Sequence, residues 1–342
     1  MTLRLWFNQA YRGTYQLIGL LRDGAAADGR RLSVTGSHTV GSTPFLQACD
    51  DAFPEPEHLA GDAWVEEALR VCAERRIDVF VPGRERLAVA LAADRFAEAG
   101  VRLMVSPADA LRVLEDKQAA HASALALGVP LPQTRVATDA ATFRAAYEEL
   151  SGAGLRVCVK PAVDHGARGF RVLDESAGRL ADLLSLPSVR VHPDEVERLL
   201  SGGAAVPTLL VSEYLDGEEL SVDVLSRDGE LLAAVPRGKG GPQWTRVLVD
   251  SPEAVGITEA MVKGHRLSYL SNVQVRRGGG RLCLLEVNTR AASGLFHSAA
   301  SGLNLPHLAL RLVLDEPVEV GAQRYGATVL TYTEAREVRL PF

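Results

Sequence analysis

The residues best suited to chemistry lie at the end of an apolar segment, "LLEVNTR", at 284–290. If this segment is a strand, Glu286, Asn288 and Arg290 share one face, because strand side chains alternate with a period of two. Gln274, on the preceding predicted strand, adds an amide oxygen. Carboxylate and amide oxygens suit Mg²⁺ that already holds phosphates, and an arginine can stabilise developing negative charge. We therefore predict a metal and phosphoryl-transfer site here, with Arg290 catalytic and Gln274, Glu286 and Asn288 as metal ligands.

Two lysines and a glycine-containing turn offer further partners for phosphate oxygens. Lys117 begins a predicted helix, and Lys160 ends an apolar strand, where an ammonium is costly unless it meets an anion or water. The turn that follows has backbone amides suited to phosphate oxygens. Its candidate residues are His165, Gly166, Arg168 and Gly169. Taken alone, each lysine is also compatible with a solvated or salt-bridged position, and glycine turns of this length are common.

Residues 213–219, "EYLDGEE", combine an extended stretch, a turn and a carboxylate that enters the next strand. A carboxylate at Glu219 is suited to hold the two hydroxyls of a ribose. The alternative interpretation is a charged hairpin edge.

Two further groups are candidates for contacting a second substrate. Arg237, Lys239 and Arg246 lie in residues 236–246, which we predict to be a loop after a strand. This loop suits a phosphate or a second substrate, and Arg237 is a catalytic candidate together with Arg290 and Lys160. A solvated basic hairpin tip explains the same sequence equally well. Arg84 and Glu85, at a predicted strand end, are candidates for contacting the acceptor substrate.

The elements that must position these residues follow from the apolar pattern. Up to about residue 105, short apolar runs alternate with helical patterns, which predicts parallel strands joined by crossover helices. The predicted strands are 3–7, 31–35, 79–82 and 102–105, and the predicted helices are 14–21, 63–74 and 87–99. A small α+β unit is predicted next, followed by hairpins that turn at 227–229 and 278–280.

Composition excludes several classes of protein. With 342 residues, 47% hydrophobic and 23% charged, the chain is expected to form two or three compact units rather than a disordered or fibrous protein. A net charge of −6 without charged blocks argues against a nucleic-acid partner. The four cysteines are far apart and have no zinc-site spacing. No apolar stretch suits a signal peptide or a membrane span, so we predict a cytoplasmic protein without a membrane partner.

Two common nucleotide motifs are absent from the sequence. After the first predicted strand the chain reads "NQAYRG", where a dinucleotide fingerprint would need GxGxxG. The segment "PRGKGGPQW" lacks the spacing and the following Ser or Thr of a P-loop. An ordinary dehydrogenase and a Walker-type nucleotide site are therefore not supported.

The order of the motifs resembles the ATP-grasp superfamily. Lys117, "VKP" at Lys160, the glycine turn, "SEYLDGEELSVD", "NVQV" and "LLEVNTR" follow one another as in that superfamily, especially in members like the large chain of carbamoyl-phosphate synthase. The opening "LRLWFNQAYRGTYQLIGLLR" resembles the ATP-grasp group associated with tellurium-resistance operons. The motifs cover about residues 110–315, and the preceding residues match in architecture only.

This resemblance implies a fold and a set of residue roles. The fold class is α/β and α+β: a Rossmann-like pre-ATP-grasp domain at 1–110, a central ATP-grasp lobe with a phosphate flap at 111–210, and a C-terminal lobe with the metal site at 211–342. The resemblance places Lys117, Lys160 and the residues from His165 to Gly169 on ATP phosphates, Glu213, Tyr214 and Leu215 around adenine, Glu219 on ribose, and Gln274, Glu286 and Asn288 on Mg²⁺ or Mn²⁺. Two departures are Ser212, where many relatives have a second glutamate, and Gln274, where many have an acid.

The function implied is an ATP-dependent carboxylate–amine ligase that acts through an acyl phosphate. Its partners would be a small-molecule carboxylate and an amine, and a homodimer is expected from the family. Two alternatives stay open: carboxyphosphate or carbamate chemistry like that of carbamoyl-phosphate synthase, and an ATP-binding sensor without turnover. Because a pure binder has no need of Arg290, the sensor is the weaker of the two. The sequence names neither the acid nor the amine.

Overall fold

The computed structural model describes residues 2–163, 169–178, 188–202, 207–239, 245–332, 334–335 and 337–342. Its strands are β1 Thr2–Asn8, β2 Arg31–His38, β3 Asp51–Pro54, β4 Val79–Pro82, β5 Arg102–Leu103, β6 Thr134–Ala137, β7 Val157–Pro161, β8 Arg171–Leu173, β9 Arg190–Val191, β10 Leu209–Glu213, β11 Glu219–Arg227, β12 Glu230–Lys239, β13 Thr245–Leu248, β14 Tyr269–Gly278, β15 Arg281–Asn288 and β16 Thr328–Leu330. Its α-helices are α1 Thr14–Ala27, α2 Gly61–Arg75, α3 Arg86–Leu91, α4 Ala93–Glu98, α5 Ala108–Leu114, α6 Lys117–Ala126, α7 Ala140–Gly152, α8 Pro193–Leu200, α9 Pro252–Gly264 and α10 Leu305–Val313. Short 3₁₀ helices lie at Pro44–Ala48 and Leu295–Ser301.

The first sheet is parallel, in the order β3-β2-β1-β4-β5. This confirms the predicted Rossmann-like architecture, although the short strand β3 has no counterpart in the prediction. The predicted helix at 87–99 is two helices, α3 and α4, because the backbone leaves helical geometry at Ala92. No glycine or proline marks that position, so the apolar pattern could not indicate the break.

An aromatic cluster packs one face of the first sheet against α2. Trp6 on β1 is fully buried, stacks on Phe80 of β4 at 4.1 Å between ring centroids, and lies near Trp64 of α2. Its indole N–H donates to the Ser37 hydroxyl at 2.8 Å, which satisfies the only polar atom of the side chain. The opposite face packs on Leu17, Ile18 and Leu21 of α1, which recur at helical spacing.

The second sheet has the order β6-β10-β7-β8-β9, with β10 antiparallel to both β6 and β7. Helix α7 covers it, beginning with a capping box in which Asp139 and Thr142 satisfy each other's backbone N–H groups. The apolar side chains of α7 recur at helical spacing and enter the core of this sheet: Phe143, Ala146, Tyr147 and Leu150.

The third sheet has the order β15-β14-β11-β12-β13-β16. The predicted hairpin turn at 227–229 is confirmed: Arg227 pairs with Glu230, and Asp228 and Gly229 both adopt positive φ. Such a two-residue turn matches the twist of the strands it joins. The second predicted hairpin, which turns at 278–280, is also present and joins β14 to β15.

Contacts group the chain into two compact units. The larger unit consists of Met1–Leu114, Leu220–Gln274 and Val287–Phe342, and the smaller unit consists of Glu115–Glu219 and Val275–Glu286. The division at 1–110, 111–210 and 211–342 remains a prediction. Within the described ranges, no helix is both long and apolar enough to span a bilayer.

Two glycines of α1 offer a matched test of helix packing. A Cβ on Gly24 would lie 2.3 Å from Cγ of His307, and that ring is held by the 3.0 Å contact of its Nε2 with the Asp28 carboxylate. A Cβ on Gly19 would meet no atom within 4 Å. We expect Gly24→Ala to lower the free energy of unfolding by about 1–3 kcal/mol through overpacking. Gly19→Ala should raise it by about 0.5–1 kcal/mol through helix propensity. Denaturant unfolding of both variants checks this, and equal effects would contradict the packing.

Candidate functional site

Lys160 lies on β7 in the smaller unit, in an environment that disfavours its own charge. Burial lowers the pKa of Lys160 below its ordinary value, and the nearby ammonium of Lys117 lowers this pKa further. The carboxylate of Glu286 acts in the opposite direction, as does Cys158. The structure therefore brings Lys117, Lys160 and Glu286 close enough for their charges to interact. Two cations and one carboxylate thus act on one another here, and such a combination of charges suits an anionic ligand such as a phosphate.

Lys117 is positioned by the start of α6. The side chain of Asp116 accepts hydrogen bonds from the backbone N–H groups of Gln118 and Ala119, which fixes the helix start at Lys117 as predicted.

Cys158 is not a candidate nucleophile. Burial raises the pKa of its thiol to about 11, although Lys160 acts against this shift. Burial also raises the pKa values of Cys49 and Cys72 to about 12. None of the four cysteines forms a disulfide, and thiols with such pKa values stay protonated at neutral pH.

Of the four candidate residues in the predicted phosphate turn, the structure describes Gly169. His165, Gly166 and Arg168 lie outside the described residues. Gly169 has φ of 71°, and a Cβ there would lie 2.7 Å from Cδ of Pro161. This position therefore requires glycine for both its conformation and its close packing against the end of β7.

Glu213, the first residue of the segment predicted to frame adenine, already has hydrogen-bond donors within the smaller unit. Glu213 is buried and accepts hydrogen bonds from the backbone N–H of Gln133 at 3.1 Å and from Arg281 at 2.5 Å. Leu215 is buried, and its side chain would be 2.5 Å from a Cβ on Gly278. Ser212 shares a 3.0 Å hydrogen bond with Thr134 and so does not stand in for a second carboxylate.

Tyr214 is half-buried and lies beside two arginines. The guanidinium carbon of Arg156 lies 4.7 Å from the Tyr214 ring centroid, and that of Arg276 lies 5.2 Å from it. Arg276 also forms a 3.8 Å ion pair with Glu219, the predicted ribose ligand. Glu219 is half-buried.

Arg237 is a buried residue of the larger unit, and the prediction that it lies in a loop is wrong. Strand β12 continues to Lys239, and the Arg237 side chain forms a bidentate ion pair with Asp223, with 2.7 and 3.2 Å between the paired atoms. The alternative of a solvated hairpin tip is excluded for Arg237, whereas exposed Lys239 ends the strand and pairs in register with Arg246 of β13. Residues 237–239 belong to the sheet because they pair with β11 on one side or with β13 on the other.

Asp223 was not singled out from the sequence, although it organises its surroundings. Its carboxylate is fully buried and accepts hydrogen bonds from Arg237, from Asn272 of β14 at 3.0 Å and from Ser298 of the second 3₁₀ helix. The available signal was a single acid within the apolar strand "LSVDVL". A buried acid requires donors such as these.

Arg290 does not share the strand face of Glu286 and Asn288. Strand β15 ends at Asn288 and the chain bends immediately afterwards, so the condition for a face shared by all three residues is not met at Arg290. The guanidinium carbon of Arg290 lies 3.9 Å from the ring centroid of Tyr11, and Nη1 donates to the carbonyl of Ala291 at 3.0 Å. Gln274 is a partly exposed residue of β14.

The two acceptor-substrate candidates in the larger unit are engaged in local structure. Arg84 donates to the backbone carbonyls of residues 56, 57 and 59 and lies 5.2 Å from the Trp64 ring centroid. Glu85 accepts from the backbone N–H of Gly61 at 3.0 Å and itself has φ of 53°. These contacts favour structural roles for both residues.

Comparison with known proteins identifies the fold. Residues 205–335 match the family described as "ATP-grasp in the biosynthetic pathway with Ter operon". The carbamoyl phosphate synthase large chain of Thermus thermophilus is 30% identical over 261 residues, which are 72% of this chain and 24% of that protein. The large chain of Streptomyces avermitilis is 28% identical over 66% of this chain and 20% of its own length. This chain thus spans about a quarter or less of these relatives.

Two solved structures share the architecture. An N5-carboxyaminoimidazole ribonucleotide synthetase in complex with ADP superimposes with a TM-score of 0.67 at 14% identity, over 96% of this chain and 80% of that chain. The biotin carboxylase domain of Hydrogenobacter thermophilus 2-oxoglutarate carboxylase gives 0.66 at 14% identity, over 95% and 73%. The chain belongs to the ATP-grasp superfamily. The predicted ATP-grasp fold is thereby confirmed, and the resemblance to the tellurium-resistance group agrees with the matched family.

The charges around Lys160 in this ATP-grasp protein make a pH-dependent prediction. Because burial lowers the pKa of Lys160, its amine should become reactive toward acetic anhydride with a midpoint below its ordinary pKa of 10.5. Glu286→Gln should move the midpoint further down, since it removes the carboxylate that stabilises the ammonium. Mass spectrometry of peptides acetylated across a pH series measures both midpoints. Glu218→Gln, at an exposed position, serves as the control, and an unchanged midpoint in Glu286→Gln would contradict the contact.

Proposed function

We propose that this protein is an ATP-dependent carboxylate–amine ligase. A carboxylate oxygen of the substrate attacks the terminal phosphorus of ATP, and ADP leaves with the electrons of the broken P–O bond. The amine then attacks the carbonyl carbon of the acyl phosphate, inorganic phosphate leaves, and the nitrogen loses a proton to give the amide. This reaction requires positioning and charge neutralisation and no nucleophile on the protein.

The observation that carries the proposal is the cluster of Lys117, Lys160 and Glu286. Burying an ammonium that faces a second ammonium is unfavourable unless an anion joins them. A triphosphate meets this requirement, and ATP-grasp relatives are known as structures with bound ADP. In this proposal both lysines bind phosphate oxygens, together with the turn from His165 to Gly169. Residues 213–215 border the adenine, and Glu219 binds the ribose.

The metal residues of the proposal fit a magnesium ion that is held together with phosphates. Glu286 supplies a carboxylate, and Asn288 and Gln274 supply amide oxygens, which are hard ligands suited to Mg²⁺ or Mn²⁺. Across the ranges that the structure describes, no group of three or more His, Cys, Asp or Glu forms a metal site. When bound, the metal would neutralise phosphate charge. Arg290, a fixed cation beside Tyr11, would stabilise the transferred phosphoryl group.

Arg237 has a different part in this proposal from the one that the sequence indicated. Its guanidinium is paired to Asp223 and is 6% exposed, so we propose that it positions the segment after β15 rather than contacting phosphate. A Cβ on Gly294 would lie 3.0 Å from its Nη1, so guanidinium and loop are closely packed. Lys239 and Arg246 remain candidates for contacting a substrate.

A second candidate function is carboxyphosphate or carbamate chemistry. The similarity to carbamoyl phosphate synthase over 72% of this chain is the observation that favours it. Bicarbonate would then replace the organic carboxylate in the first step. The proposed roles of the lysines, the metal ligands and Arg290 would be unchanged.

ADP release is the first measurement that tests the ligase. The purified chain with ATP and Mg²⁺ should release ADP when pools of small carboxylates and amines are supplied, and mass spectrometry should detect an amide. Arg290→Gln should reduce kcat by roughly 100-fold or more, because it removes stabilisation made in the transition state. Arg95→Gln, which removes an exposed arginine paired with Glu66, is the matched control. ADP release that requires only bicarbonate would favour the second candidate, and ATP binding without ADP in any pool would contradict both.

The amide at position 274 predicts weak binding of metal alone. Gln274→Glu should add the missing carboxylate and lower the Mg²⁺ concentration needed for half-maximal ADP release by roughly tenfold, because an added charge strengthens binding of a hard cation. A magnesium titration at fixed ATP measures this, with Gln47→Glu, at an exposed position, as a control outside the proposed metal ligands. An unchanged magnesium requirement would remove Gln274 from the ligand set.

A further inference from the structure

The larger unit contains a pocket of about 50 Å³ at the carboxyl ends of its parallel strands. It is lined by Phe7 of β1, Val81 of β4 and Met104, just after β5, together with Leu17 of α1 and Leu270 of β14. We call this cavity the strand-end pocket. Ligands of open α/β sheets commonly bind at this edge.

The strand-end pocket combines an apolar interior with positive charge. Among the residues that line it, Arg86 and Arg290 are the two charged side chains, and none is an acid. Nη1 of Arg86 donates to the hydroxyl of Thr289 at 2.9 Å. This hydrogen bond ties the guanidinium to the residue that precedes Arg290 in the chain. Such a lining suits an anion that carries an apolar group.

The wall of the pocket also contains a strained residue. Tyr269 has φ of 65°, in the left-handed region that a bulky side chain rarely adopts. Strain of this kind persists where the surrounding structure enforces it, and it concentrates at ligand sites. The neighbouring Ser268 keeps this turn in place, since its carbonyl accepts from the Ser106 hydroxyl at 3.3 Å.

We propose that the strand-end pocket binds the carboxylate substrate and selects acids with a short apolar tail and no ammonium beside the carboxylate. The inference rests on the proposed ligase function, in which Arg290 stabilises the phosphoryl group transferred to that carboxylate. Arg86 holds the carboxylate, and the apolar tail enters between Leu17, Met104 and Leu270. A zwitterionic amino acid is disfavoured, because no lining carboxylate would pair with its ammonium.

The volume of the pocket limits the length of the tail. About 10–15 Å³ of such volume holds one water-sized group, so about 50 Å³ admits roughly three to five non-hydrogen atoms. The five tail carbons of 4-methylpentanoate fit this limit, whereas the seven of octanoate exceed it. Leucine has the skeleton of 4-methylpentanoate with an added ammonium, which makes these two compounds a matched pair.

The test combines direct binding with turnover on the full chain. Titration calorimetry without ATP measures the affinities of butyrate, 4-methylpentanoate, octanoate and leucine, and ADP release with ATP, Mg²⁺ and an amine pool follows separately. We expect 4-methylpentanoate to bind at least roughly tenfold more tightly than leucine or octanoate. Arg86→Gln should weaken its binding roughly tenfold or more, through loss of a charge-assisted hydrogen bond. Arg95→Gln, which removes an exposed ion pair with Glu66, is the control.

The two readouts separate the pocket from the proposed reaction. The expected affinities without ADP from any mixture would support the pocket and count against the ligase. ADP release that ignores tail length and persists with unchanged KM in Arg86→Gln would support the ligase and overturn the pocket. Equal binding of leucine and 4-methylpentanoate, or no binding of any acid by the unmodified chain, would also overturn it. The series on the unmodified chain keeps the test decisive if Arg86→Gln does not fold.

Discussion

The buried carboxylate of Asp223 is the constraint on which the larger unit's site depends. It has no solvent exposure and accepts hydrogen bonds from Arg237, Asn272 and Ser298. These donors come from three different elements, β12, β14 and the 3₁₀ helix after Arg290. One anion therefore fixes where two strands and the following segment lie. Removing one partner would leave the others buried without compensation, which costs far more than the pair itself contributes.

In the smaller unit, burial disfavours a charge instead of fixing it, because Lys160 is buried beside Lys117 and its pKa is lowered. Glu286 is close enough to act on the pKa of Lys160, but burial and Lys117 still lower that pKa. Glu213, by contrast, is satisfied by Arg281 and a backbone N–H. A fully satisfied carboxylate belongs to the scaffold, whereas an incompletely compensated lysine is suited to bind an anion. This difference in environment favours a structural role for Glu213 and makes Lys160 the candidate for binding an anion.

The sequence predicted the fold well where local patterns decide it. The parallel strands, the two hairpins and the start of α6 all follow from apolar spacing, turn residues and the Asp116 cap. It failed where tertiary pairing overrides local signals. Glycines and prolines around Arg237 indicate a loop, but pairing with the neighbouring strands extends β12 through Lys239. Alternation in "EVNTR" likewise suggests a strand up to Arg290, whereas the strand ends at Asn288.

The same limit applies to individual side chains. Residue type could propose Glu286, Lys160 and Arg290, because few structural roles require those residues in or next to apolar strands. It could not reveal that Arg84 donates its hydrogen bonds to backbone carbonyls, whereas Arg86, two positions later, lines a pocket. That difference depends on a one-residue positive φ at Glu85, which turns the chain into α3. Which of these arginines is available to a substrate is therefore a matter of loop geometry at strand ends, where sequence spacing carries the least information.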